Sequence, residues 1–242
     1  MMSGIDYAVV GMAAVAAGAI NALAGGGTLI TFPTLLALGV SPISANVTNT
    51  IALCPGFVGG ILAQLKDLTG QRRRFWMFLG ASAAGGVVGS TLLLLTGERA
   101  FMKLVPYLIL AASLLLAIQG AVRVWLARRS INLQERPDSE TWAVILVGLA
   151  AIYGGYFGVA MSVVILALLG LLLSDSLTRL NAIKQTVAFG ANGAAAVLFV
   201  FSDRVVWPIA LVMALGALAG GTLGGRLAGR KVPCHPGRAR GG

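Results

Sequence analysis

Residues 5–39 read IDYAVVGMAAVAAGAINALAGGGTLITFPTLLALG, an apolar run whose one charged residue is Asp6. A helix crosses the hydrocarbon of a bilayer with roughly 20 apolar residues, so this run is too long for one crossing. Its middle holds Gly25-Gly26-Gly27. Glycine disfavours a helix interior, and a break in lipid frees backbone groups that only protein or a wet cavity can satisfy. The run therefore reads as a pair of helices or half-helices that enters and leaves on one side. A second long run, 141–173, has the same character and breaks around Gly154 to Gly158. Clean single spans are expected at about 44–65, 75–96, 101–126, 181–201 and 206–225. The fold class is an all-α integral membrane protein.

Composition agrees. The 242 residues are 57% hydrophobic and 11% charged, with a mean hydropathy of +0.89, an excess that must face lipid. The net charge of +10 does not point to nucleic acid. Lys and Arg gather in short clusters, Arg72, Arg73, Arg74 and Arg123, Arg128, Arg129, with no aromatic-interleaved basic face. Such clusters mark cytoplasmic loops. Segments 66–74, 127–140 and 226–231 are accordingly assigned inside, while 202–205 and the N-terminus fall outside. Loop 97–103, with Arg99 and Lys103 against Glu98, is the weak exception. The start lacks a basic n-region and reads as a retained first helix, not a cleaved leader.

The two halves look alike. Segment 44–53 (SANVTNTIAL) lines up with 180–189 (LNAIKQTVAF), pairing Asn46 with Asn181 about 135 residues apart. The same shift pairs Gly85, Gly86 and Gly89 with Gly220, Gly221 and Gly224. With the first half starting outside and the second inside, the repeats are expected to be inverted, a recurring transporter design with substrate near the midplane. The expected division is 1–127, a first repeat; 128–140, a cytoplasmic loop; 141–231, an incomplete second repeat; and 232–242, an aberrant polar tail. A helix matching 101–126 is missing after Lys231, read as a lost last helix, with a shorter natural variant as the alternative.

GAINALAGGGTLITFPTLLALGVSPISANVTNTIAL (18–53) resembles the first half of the TauE/SafE sulfite-exporter family, also called TSUP, and YGGYFGVAMSVVILALLGLLLSDSLTRLNAIKQTVAFGANG (153–193) resembles its second half. The likeness runs from about residue 6 to 231. It implies a transporter in the inner membrane, often for sulfite, sulfonates or related organosulfur anions.

Candidate substrate-binding residues follow from the breaks and the polar helix faces. At the first break, Gly25, Gly26, Gly27 and Thr28 can offer free amides and a hydroxyl to an anion at a half-helix N-terminus, or simply let helices pack closely. Tyr153 and Tyr156 at the second break supply hydroxyls or anchor at an interface. Asn46, Asn49 and Thr50 share one helix face, matched by Asn181, Lys184 and Gln185 in the second half. Polar groups there are costly without partners or water, so they line a path or make interhelical hydrogen bonds. Lys184 is either the cation of the cavity or a lysine snorkelling to the cytoplasmic interface. Pro33 and Pro55 are expected to kink or interrupt their stretches.

No catalytic set competes. His235 lies in the polar tail, so neither a metal site nor a histidine triad forms within the membrane, and the acids sit near span ends, where solvation is expected. Without a phosphate loop, energy comes from a gradient or the membrane potential, and no cofactor is called for. Two functions remain at this point: a secondary exporter of a small anion, whose partners are that anion and the lipid bilayer, or a non-transporting membrane scaffold or assembly protein.

Overall fold

A computed structural model describes residues 3–23, 25–130 and 140–228. These residues fold as α1 (Gly4–Leu23), α2 (Thr28–Ala37), α3 (Pro42–Ala63), α4 (Arg72–Leu95), α5 (Glu98–Ser130), α6 (Glu140–Tyr156), α7 (Met161–Leu172), α8 (Leu177–Val200) and α9 (Trp207–Ala228). A short 3-10 turn at Leu65–Leu68 joins α3 to α4. No strand occurs among the described residues. Six of the helices (α1, α3, α4, α5, α8 and α9) contain a stretch long and apolar enough to cross a membrane, while α2, α6 and α7 are shorter. Both long runs break where glycine predicts. Gly25 and Gly26 lie at φ +92° between α1 and α2, and Gly158 and Ala160 lie at φ 72° and 60° between α6 and α7. Of the kink or interruption expected at Pro33 and Pro55, interruption does not occur: α2 and α3 run through them. The polar tail 232–242, with Cys234 and His235, and most of loop 128–140 lie outside the described residues.

Glycine sets how the halves interlock. A Cβ on Gly220 would strike the Val15 carbonyl of α1, and one on Gly224 the Ala19 carbonyl. Gly85 and Gly89 of α4 meet the Gly148 and Ile152 carbonyls of α6 in the same way. On the long helices, Gly221 of α9 sits on Gly56 of α3, and Gly86 of α4 sits on Ala191 of α8. Each contact in one set maps onto one in the other under a shift of about 134 residues. Small residues let backbones approach, and the dispersion attraction between the close backbones drives association where lipid is as apolar as the side chains. The fourth helix of each half is thus packed against the first and third helices of the other. Corresponding helices α3 and α8 lie antiparallel, with Asn181 bonded to Gln64 and Gln185 against Gly60.

Charge collects at two opposite ends. At one, Arg74 pairs with Glu140 (2.8 Å) and Asp175 (3.2 Å), and Arg179 reaches Asp175 (3.5 Å). Asp175 is therefore mostly buried in ion pairs rather than solvated, a correction to the expectation for the acids. At the other end Arg204 pairs with Glu98 at 3.0 Å, which joins the two loops assigned outside. Exposed Trp76 and Trp142 flank the first end and exposed Trp207 the second, as expected for interfacial indoles.

Two outcomes follow. Gly221→Val should cost roughly 1–3 kcal/mol through overpacking and lower the detergent-solubilised melting temperature. Gly80→Ala, where an added Cβ meets nothing within 4 Å, should leave it unchanged or higher. In a chain with Cys54 and Cys234 replaced by serine, Thr69→Cys should react with an impermeant thiol reagent only from the cytoplasmic side. Asp203→Cys should react only from outside.

Candidate functional site

The two breaks, and the helices that cross beside them, gather the polar residues. α1 ends with its last carbonyls unpaired by helix geometry. The Asn181 amide from α8 donates to the Ala22 carbonyl at 3.1 Å and to Gln64 Oε1 at 2.8 Å. One turn further along α8, Lys184 donates from Nζ to the Asn21 carbonyl at 3.2 Å. Asn21 turns its own Oδ1 to the Gly27 amide at 2.8 Å, holding the entry to α2. Asn46 of α3 treats the second break alike, donating to the Tyr156 carbonyl at 2.9 Å. The paired asparagines thus bind equivalent carbonyls, each in the opposite half.

Lys184 is 0% exposed, so its side chain does not snorkel to the interface; that alternative is overturned. The end of α1 meets Lys184 through the Asn21 carbonyl, and the first turns of α8 around it are buried. The Tyr153 hydroxyl donates to the Val159 carbonyl at 2.7 Å across the break, and that of Tyr156 reaches Thr96 Oγ1 at 3.3 Å. The Gly27 amide is spent on Asn21, and a Cβ on Gly27 would meet the Ala17 carbonyl, so close packing is part of this glycine's role.

The candidate residues form two clusters instead of one. Gly25, Gly26, Gly27, Thr28, Asn181, Lys184 and Gln185 belong to the first break and its α8 wall. Asn46, Asn49, Thr50, Tyr153 and Tyr156 belong to the second break and its α3 wall. The breaks adjoin at one place: a Cβ on Gly25 would run into Ser162, the second residue of α7. Several buried polar atoms at these walls have no hydrogen-bond partner within the protein: Asn49 Oδ1, Asn181 Oδ1, both Gln185 amide atoms and Thr31 Oγ1. Such groups are rare in settled interiors and common where water or a ligand enters.

Sequence reasoning missed Asn21, Gln64 and Ser162. Ser162 was findable, since it matches Thr28 under the shift of about 134 that relates α1 to α6. Asn21 was signalled only by being a lone amide in an apolar helix, and Gln64 by nothing local.

Comparisons with known proteins agree with this architecture. Residues 10–235 match the family model "Sulfite exporter TauE/SafE". A "Probable membrane transporter protein" of Haemophilus influenzae is 27% identical over 213 residues, covering 86% of this chain and 79% of the relative. "Probable membrane transporter protein YfcA" of Escherichia coli is 26% identical over 231 residues, covering 94% and 82%. "Probable membrane transporter protein ORF9" of a Sinorhizobium species is 27% identical over 221 residues, covering 90% and 81%. No solved structure matches the chain significantly. With its six apolar crossing-length helices, the protein is a multi-pass membrane transporter, and it belongs to the TauE/SafE sulfite exporter family.

Proposed function

We propose that this transporter exports a small anion of the sulfite or organosulfonate class across the inner membrane, between two oppositely oriented halves, 1–127 and 141–231. The observation that carries the reading is Lys184, a fully buried cation in an apolar helix bundle, set against the broken end of α1. An ionisable group inside a membrane protein is expensive and is kept for a pathway or a partner. An anion entering beside the first break meets that ammonium, the amide protons of Asn181 and the N-terminal turn of α2, whose dipole favours negative charge. Asn49, Gln185 and Thr50 continue the polar wall.

Two further points support the reading. The antiparallel α3 and α8, and the exchange-symmetric packing of α4 and α9, fit halves that are inverted relative to each other, so that rocking one against the other alternates access. Direction follows from charge. An inside-negative potential drives an anion outward by about 2.3 kcal/mol per charge per 100 mV, so efflux needs no nucleotide.

The test is retention of sulfite and small sulfonates by cells expressing the chain, beside cells expressing Lys184→Ala at matched membrane levels. Faster loss of one anion, reduced at least tenfold toward the empty-vector rate by the substitution, is expected. Unchanged efflux in Lys184→Ala would remove Lys184 from the path and overturn this assignment.

A further inference from the structure

A cavity of about 150 Å³ opens between the ends of α1 and α9 and the start of α8, lined by Leu23, Leu177, Thr178, Asn181 and Ala228. It lies at the basic end of the molecule, beside the Arg179–Asp175 pair. Its inner limit is Asn181. One turn deeper on α8 comes Lys184, fully buried. At Asn181 the cavity meets an amide cluster, Asn181 Nδ2 bonded at once to Gln64 Oε1 (2.8 Å) and to the Ala22 carbonyl (3.1 Å). Asn181 Oδ1, in a residue 7% exposed, has no protein partner.

We propose that Asn181 and Gln64, closed over the Ala22 carbonyl, are the cytoplasmic gate of the transport path. The proposal rests on the reading of Lys184 as the cation that meets the anion. Its chemistry is exchange. A neutral amide pair contributes little net stability, because each partner trades a bond to water for a bond to protein. A bond from the same N–H to an anion is roughly twice as strong. An anion arriving in the cavity therefore competes for the protons that hold Gln64. When it wins, the Asn181 side chain swings with it toward Lys184, and the Gln64 amide keeps its own bond to the Gly60 carbonyl (3.3 Å). α3, α8 and the main chain need not move for the gate to part.

The opposite end is built differently. Asn46 holds the Tyr156 carbonyl, but the residue matching Gln64 is Phe199, fully buried and without an amide. The bonded amide pair, Asn181 with Gln64, belongs to the cytoplasmic end, whereas the second break has a hydroxyl pair, Tyr156 with Thr96.

The experiment uses the full chain with Cys54→Ser, Cys234→Ser and a reporter, Ala188→Cys, one turn beyond Lys184 on α8 and fully buried. Inside-out and right-side-out vesicles are treated with a sulfonate-bearing methanethiosulfonate, an anionic thiol reagent. Gln64→Ala and Asn181→Ala should each raise the labelling rate at least tenfold in inside-out vesicles and leave it unchanged in right-side-out ones. Gln64→Ala leaves the bond to the Ala22 carbonyl in place, so it reads the gate even if Asn181→Ala folds poorly. Unchanged rates in Gln64→Ala, or an equal rise from both faces, would overturn the proposal. Labelling requires no sulfite transport. Lys184-dependent efflux with unchanged labelling sinks the gate alone, and faster one-sided labelling with Lys184-independent efflux sinks the anion path alone.

Discussion

Two helices that end at glycine breaks against the opposite half leave buried carbonyls with no helical partner, and the molecule is organised around satisfying them. Each unpaired group in hydrocarbon would cost several kcal/mol. The Ala22 carbonyl at the end of α1 is taken by Asn181, and the Tyr156 carbonyl at the end of α6 by Asn46. Neither half can supply its own donor, because the helix carrying the asparagine follows the break and runs beside the other half. The breaks therefore tie the halves together. The glycines at 85, 86 and 89 and at 220, 221 and 224 then bring the backbones close enough for those short side chains to reach.

The same arrangement gives the site its chemistry. A break satisfied by side chains instead of a helical ladder is polar, local and rearrangeable. Asn181 serves both as a backbone partner and as a donor that an anion can claim. Lys184 bonds to the carbonyl adjacent to the one Asn181 holds, so on the proposed reading structure and substrate compete for neighbouring groups. The unpartnered amide atoms of Gln185 and the Asn181 oxygen extend this polarity along the α3–α8 contact.

Much of the fold was legible because lipid imposes simple rules. The length of run 5–39, the triple glycine and the basic clusters place the breaks and ends, and the repeat shift predicts which glycines are equivalent. The depth of a side chain was not legible. Lys184 stands a few residues into α8, where hydropathy alone allows an interfacial lysine; its burial comes from packing with elements far away in sequence, the end of α1 among them. Pairing was hidden for the same reason. Asn46 and Asn181 read as residues that line a path or make interhelical hydrogen bonds; that their amides go to the carbonyls at the breaks of the opposite half was not legible. Gln64 acquires a role only because α8 runs antiparallel to α3. Asp175 read as a solvated loop acid, and became an ion-pair partner when α4 placed Arg74 beside it.

The central claim is that a buried lysine beside a broken helix receives the anion. The most direct measurement is an experimental structure of the protein with sulfite bound. The anion should lie within hydrogen-bond distance of Lys184 Nζ, against the first break, with Asn181 turned away from Gln64. An anion seated at the Arg73–Arg74 surface, or a Lys184 ammonium extended into cytoplasmic water, would contradict it.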